Sequence, residues 1–320
     1  MRVIVFPQSG YINRIQAIAS SILLAEDLES TARVCWLSDP VAAASADSIF
    51  EPSFFVEHFL TEAEARDEFG AVDSSIAIHL NTDSSTGSIS LAGSHLGEQH
   101  FMPELRAELE RGNLDTLIIR AGGKFTLIGD SVLTQNQASA FRKRRMGFYA
   151  QPFLHPNIEI PARTAVNENA PFLGLHLRYS DRSHQSPSRA QIREALAYLK
   201  TRTGLTSLFI ASDTASERER WLEITRGMGF TPWTVDPGSL ARGDASAATG
   251  ALVDWRILGG SQAMVYFAES SFAEEAAVAT GNFDMCSGLR ASSGRALQVK
   301  AREYLRALAS YPRRHGWLGK

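Results

Sequence analysis

The chain has 320 residues, 44% of them hydrophobic and 21% charged; this is the make-up of a globular protein, and the length exceeds what one hydrophobic core usually organises. A formal net charge of −3 lacks the basic excess that a nucleic-acid-binding surface requires. Two cysteines, Cys35 and Cys286, are too few for a disulfide framework, and no run of 18 apolar residues offers a membrane span.

Arg2 to Phe6 reads as a buried strand, Pro7 to Asn13 as a glycine-containing loop, and Arg14 to Leu28 as a helix with an apolar stripe at Ile15, Ile18, Ala19, Ile22 and Leu23. The apolar start is too short for a signal peptide and is broken by Pro7 and Gly10, so the expected location is cytoplasmic. Further strands are predicted at Arg33 to Leu37, Ser75 to Leu80 and Thr116 to Ile119, and a helix at Asn136 to Tyr149. Between Gln151 and Pro171 four prolines interrupt a polar stretch, which reads as an interdomain linker. The division expected is residues 1–158, a linker at 159–171, and a second domain over 172–320.

The second half repeats the alternation. Strands are predicted at Phe172 to Leu177, Ser207 to Ser212 and Ala263 to Phe267. Helices are predicted at Ser188 to Thr203, opened by a Ser-x-x-Gln capping box, at Ser216 to Thr225, around Phe272 to Ala279 and at Gly294 to Ser310. Strands alternating with helices predict an α/β protein of two Rossmann-like domains with parallel sheets, facing each other across a cleft.

The most informative stretch is Leu173-Gly-Leu-His-Leu-Arg178, because His176 and Arg178 stand two residues apart where the strand should end. At that spacing both side chains lie on one face, and a guanidinium fork beside an imidazole can grip a diphosphate. The other reading is a hydrogen-bonded core histidine next to a surface ion-pair partner. Downstream, Leu208 to Asp213 is an apolar strand ending in an acid, Asp254 sits in an apolar segment, and Ser270-Ser-Phe272 follows a strand and opens a helix. Adjacent hydroxyls at a helix N-terminus make a seat for phosphate; simple capping of the helix is the alternative.

Taken in order, these pieces resemble the GDP-fucose-dependent fucosyltransferase superfamily: the protein O-fucosyltransferases and the α1,6- and α1,2-fucosyltransferases, bacterial nodulation-factor enzymes among them. Gly10-Tyr-Ile-Asn-Arg14 is similar to the Gly-x-x-Asn-Arg/Gln loop that opens those enzymes. The resemblance implies a two-domain GT-B fold, Arg178 on the β-phosphate as the catalytic group, and His176, Ser270, Ser271 and Phe272 around the diphosphate and ribose. It also implies Asp254 near the nucleotide, Asp213 at the strand end, and Asn13 with Arg14 facing the sugar from the first domain.

The activity it implies is inverting, metal-independent transfer from a GDP-sugar, L-fucose foremost, to a hydroxyl of a small molecule, glycan or natural product in a bacterial cytoplasm. No metal or other cofactor is expected. Tyr179 stands where many relatives carry a second arginine, which leaves the diphosphate better specified than the sugar. A nucleotide-sugar-binding or regulatory module without turnover is the alternative.

Asp39, His95, Glu98 and His100 are loop groups able to act as a general base, and none is singled out. Phe141-Arg-Lys-Arg-Arg145 reads as a solvated basic helix face, Ala121-Gly-Gly-Lys124 departs from phosphate-loop spacing, and Trp221, Trp233 and Trp255 read as core.

Overall fold

In the computed structural model, the described residues are 1–69, 86–91, 102–110, 114–127, 133–179, 186–236 and 244–291. The strand predicted at residues 75–80 and the helix predicted at 294–310 lie outside them.

The N-terminal half runs β1 (Arg2–Pro7), α1 (Tyr11–Asp27), β2 (Thr31–Val34), α2 (Ala46–Ile49), α3 (Pro52–His58), α4 (Glu62–Phe69), β3 (Thr86–Leu91), α5 (Met102–Glu110), β4 (Thr116–Ala121), α6 (Gln135–Tyr149). Its sheet is parallel, in the order β2-β1-β4-β3. After Arg2 every residue of β1 is buried, as expected of a strand covered on both faces. The chain winds from β1 outward to β2, then returns to place β4 on the other side of β1. The loops after β1 and β4 therefore meet at the carboxyl edge, where the Gln8 N–H donates to the Ala121 carbonyl at 2.8 Å.

After α7 (Pro156–Asn169), the C-terminal half runs β5 (Leu173–Leu177), α8 (Arg189–Thr203), β6 (Ser207–Ser212), α9 (Ala215–Gly227), β7 (Thr231–Trp233), α10 (Ala245–Gly259), β8 (Ala263–Phe267), α11 (Ser271–Ala279), a 3-10 turn (Phe283–Met285) and β9 (Ser287–Leu289). This second parallel sheet has the order β7-β6-β5-β8-β9. The chain moves outward from β5 through β6 to β7 and then returns to β8, so the direction of winding reverses between β5 and β8. In open α/β sheets ligands bind at that reversal, outside the carboxyl ends of the strands. The capping box predicted for α8 is present: the Ser188 Oγ accepts from the Gln191 N–H at 3.2 Å and the Gln191 side chain accepts from the Ser188 N–H at 2.8 Å.

The stretch read as an irregular linker is instead mostly the helix α7. His155 Nδ1 accepts the Asn157 N–H at 3.2 Å, Pro156 occupies the first helical position, where its missing N–H is not needed, and Ile158, Ala162 and Ala165 form a buried stripe. Pro156, which looks like a break, starts the helix, and Pro161 lies within it. α7 packs along α10, with Arg256 donating to Glu159 Oε2 from Nε at 3.1 Å and Nη2 at 3.0 Å, and to the Tyr149 carbonyl from Nη1 at 2.6 Å.

One buried apolar cluster runs through both halves, from Val3 and Ile119 to Trp255 and Met264. Trp255 meets Tyr149 edge-on at 5.3 Å and Phe153 at 6.3 Å between ring centroids. Trp221 and Trp255 are fully buried, as read from the sequence. Arg145 is also fully buried, which overturns the reading of residues 141–145 as one solvated face; Arg144 of the same run does lie at the surface, paired with Glu26 and Asp27.

Candidate functional site

Gly174 and His176 share a face of β5. At Gly174 a Cβ would stand 3.0 Å from Met264 Cβ and 3.1 Å from both Leu258 and Ser261 side chains. The bare glycine lets α10 lie close over the sheet, and two residues further along the same face α10 delivers Asp254 toward His176. Asp254 lies ten residues into α10, so it has no capping role.

A pocket of about 140 Å³ opens at the carboxyl ends of β5 and β6. Its lining is His176, Arg178, Ala211, Ser212, Asp213, Asp254 and Phe272. Five residues read from the sequence as site candidates, spread over almost a hundred positions, thus converge on one hollow at the reversal of winding. Asp213 has a structural duty as well: its Oδ1 accepts from the Tyr179 N–H at 2.9 Å and from Thr214 Oγ1 at 3.1 Å, which ties the segment after Arg178 to the end of β6. The Arg178 carbonyl accepts from Ser186 Oγ at 3.0 Å.

Two polar atoms of the pocket lining, His176 Nδ1 and Asp254 Oδ1, are buried without a hydrogen-bond partner among the described residues, as are Ser270 Oγ at the start of α11 and, in the other half of the chain, Asn13 Oδ1. Such a group ordinarily costs on the order of 1–3 kcal/mol, so the two in the pocket are groups with hydrogen-bonding capacity to spare for a ligand. Ser270 is the N-cap of α11, fully buried, and its side chain makes no capping bond. The hydroxyl is therefore not spent on the helix, contrary to the capping alternative. Ser271 begins the helix and Phe272, its second residue, stacks on His176 with centroids 5.1 Å apart.

Burial works against charge on two of the pocket residues, His176 and Asp254. Burial drives the His176 pKa down to about 4, with the nearby Asp213 opposing and Arg178 assisting, so the imidazole is neutral. Burial likewise drives Asp254 up to about 7, against a weaker pull from Arg218.

From the N-terminal half, Asn13 stands in the first turn of α1, and neither it nor Arg14 lines the pocket described above. Arg14 is buried, and its donors are held by the Ser9 carbonyl (Nε, 2.9 Å), the Leu37 carbonyl (Nη1, 2.6 Å) and Asp39 Oδ2 (Nη2, 2.6 Å), while its guanidinium lies 4.7 Å over the Trp36 ring. It braces the loops after β1 and β2. Asp39 is equally committed, since its Oδ1 accepts the N–H groups of Val41 and Ala42, each at 2.8 Å; a carboxylate so occupied is not a general base. His95, Glu98 and His100 lie outside the described residues.

Sequence reasoning passed over a cluster between the halves. Glu275 of α11 is fully buried and accepts from Arg145 Nε at 3.1 Å, Arg145 Nη2 at 3.2 Å and Tyr149 Oη at 2.7 Å. Lys124, in the loop after β4, reaches Glu274 Oε1 at 2.8 Å and Glu275 Oε1 at 3.5 Å. Burial acts to raise the Glu275 pKa, but Arg145, Lys124 and the Tyr149 hydroxyl together hold it down at about 2. The signal was available only as a basic helix beside two adjacent glutamates with no means of matching them.

Two parallel Rossmann-like sheets joined through α7, with a pocket at the winding reversal of the second, make a two-domain GT-B architecture. Among solved structures, the chain is similar to a variant of Arabidopsis thaliana FUT1 in complex with GDP: 13% identity, TM-score 0.55, covering 88% of this chain and 68% of that one. It is similar also to POFUT1 in complex with GDP, at 12% identity, TM-score 0.53, and 90% and 98% coverage. POFUT1 with GDP-fucose gives 13% identity and TM-score 0.50, with 91% and 96% coverage. No protein-family model and no curated protein sequence matches the chain.

Proposed function

We propose that this protein is an inverting glycosyltransferase that moves a sugar, L-fucose foremost, from a GDP-sugar to a hydroxyl of a small-molecule, glycan or natural-product acceptor. The observation that carries this reading is the convergence of His176, Arg178, Asp213, Asp254 and Phe272 on one pocket beside the start of α11. The GDP and GDP-fucose complexes of the similar folds support the choice of donor.

The chemistry follows from charge. Breaking the bond between the anomeric carbon and the β-phosphate oxygen leaves negative charge on the diphosphate and positive charge on the sugar ring. Arg178 supplies a forked cation to the leaving oxygens, and the amides and hydroxyls of Ser270 and Ser271 meet the same charge at the positive end of α11. These donors are preorganised, so the transfer needs no metal in this reading. Neutral His176, held against Phe272, meets the diphosphate or ribose, and Asp254 meets the nucleotide from α10. Asn13 faces the sugar from the N-terminal half, with Arg14 holding the loop that carries it. Attack by the acceptor hydroxyl from the face opposite the departing diphosphate forms the new C–O bond as the bond to the β-phosphate oxygen breaks, inverts the anomeric centre, and releases the hydroxyl proton to water. Cys35 and Cys286 are both free thiols, which suits a reducing compartment such as a bacterial cytoplasm.

Thermal shift against a nucleotide panel tests the donor first: GDP should raise the melting temperature more than UDP or ADP. Release of GDP from GDP-fucose, with and without acceptor mixtures, then tests turnover. Binding of GDP-fucose with neither hydrolysis nor transfer overturns the enzymatic part of the proposal; stabilisation by UDP above GDP overturns the donor.

A further inference from the structure

The start of α11 has an electrostatic problem. Glu274 and Glu275 are the fourth and fifth residues of the helix, within about 6–8 Å of rise from its N-terminus at 1.5 Å per residue. Two carboxylates so close oppose any anion seated on the free amides, because unit charges at such separations interact by more than thermal energy wherever water is scarce. The C-terminal half does not answer them: the cations within ion-pair distance of these two glutamates, among the described residues, are Lys124 and Arg145.

We propose that Lys124 and Arg145 of the N-terminal half are positioning residues for the reaction, cancelling the Glu274 and Glu275 charges so that the start of α11 accepts a diphosphate. The inference rests on the donor reading given above. Lys124 sits at the carboxyl edge of the first sheet, in the loop after β4, and its ammonium is almost wholly enclosed, at 6% exposure. Arg145 grips both oxygens of Glu275 from α6, and Tyr149, one turn further on the same helix, completes the set with a third hydrogen bond. Two cations thus face two carboxylates, three of the four groups buried and Glu274 30% exposed, so screening by water and salt is reduced at Glu275 and less so at Glu274. The anion seat belongs to the second half of the chain, but its charge balance is supplied by the first. A protein in which the halves separated would present the diphosphate with two uncompensated negative charges.

The test compares GDP with guanosine, which lacks the diphosphate, using calorimetry on folded protein at one salt concentration. Lys124→Met keeps the length of the side chain and removes the charge. It should weaken GDP binding about five- to tenfold and leave guanosine within about twofold of wild type. Adding Glu274→Gln to that variant removes the carboxylate that was exposed and should restore GDP to within about twofold of wild type. A purely structural role for Lys124 predicts otherwise: both ligands weaken together and the second substitution gives no recovery. Either of those results, or wild-type GDP affinity in Lys124→Met, overturns the proposal. Should Lys124→Met not fold, Glu274→Gln alone serves, with GDP tightened about threefold and guanosine unchanged; equal changes in the two ligands overturn it. Wild-type protein that binds GDP no more tightly than guanosine would overturn the donor reading itself, an outcome separable from all of these.

Discussion

His176 and Phe272 lie ring on ring, centroids 5.1 Å apart and planes 27° from parallel, although 96 positions separate them in the chain. The contact ties the end of β5 to the first turn of α11 across the reversal of winding. It also seals one face of an imidazole whose Nδ1 is buried without a partner among the described residues. The stack thus links the packing of two elements to the protonation state of a pocket group, because burial is the largest reason His176 stays neutral.

Removing the lid should therefore be visible as titration. Phe272→Ala admits water to the imidazole, and its pKa should climb from about 4 toward the ordinary histidine value near 6.5. An NMR titration of the His176 ring protons reads this directly. A midpoint unchanged by the substitution would show that Phe272 does not control access to the ring.

Arg178 carries the heaviest chemical load in the proposed reaction. Arg178→Lys keeps the positive charge but loses the paired, planar donors, so turnover should fall on the order of 10²–10³-fold, the usual effect of removing a positioned donor to developing charge. Because Arg178 follows β5 rather than filling the core, the melting temperature should stay within a few degrees of wild type. Wild-type turnover in this variant would remove the guanidinium from the mechanism.

The C-terminal half was legible because its signals are local. β6 and β8 are short apolar runs that begin and end where the sequence placed them, and the Ser188/Gln191 box marks the start of α8 without tertiary help. The pocket was legible in part: His-x-Arg at a strand end and Phe272 in the first turn of α11 reach its lining, whereas Ser270 and Ser271 of the same motif do not. Other features required partners. α7 was misread because proline in a first helical turn looks the same in sequence as proline in a linker until Ile158, Ala162 and Ala165 find α10 to pack on. Arg145 was misread because a basic helix face is normally solvated, and only Glu275, 130 positions away, explains why this one is buried. Arg14 was expected at the sugar, whereas the carbonyls of Ser9 and Leu37 and the Asp39 carboxylate claim it.

That last arrangement gives a prediction about Asp39. Its ion pair with Arg14 is nearly closed to water on the arginine side, at 1% exposure. Asp39 itself is 28% exposed, so Asp39→Asn, which leaves the buried guanidinium without its charge partner, should lower stability by about 1–2 kcal/mol, less than breaking a fully buried pair. Urea denaturation measures the loss. If Asp39 were the catalytic base, Asp39→Asn would instead abolish turnover with stability preserved, and that result would refute the structural assignment.

The pH dependence of stability separates the two buried titratable groups of the pocket, because their linkages have opposite signs. Asp254 has a folded pKa raised from 3.8 to about 7. Between those values the folded chain holds a proton that the unfolded chain has released, so stability from this group falls as pH rises from about 4 to about 7. The whole fall is worth on the order of 4 kcal/mol. His176 has a folded pKa lowered from 6.5 to about 4; there the unfolded chain holds the proton, and stability rises with pH over about 4 to 6.5 by roughly 3 kcal/mol. In the wild-type protein these slopes largely offset one another up to pH 6.5. Asp254→Asn keeps the shape and removes one of the two. Its stability should rise with pH from about 4 to 6.5 and then level off, and near pH 8 it should exceed wild type, since no carboxylate has to ionise inside the pocket. Urea midpoints taken from pH 4.5 to 8 resolve both features. A variant whose pH profile runs parallel to that of wild type would mean that Asp254 is not titrating in the folded protein over this range.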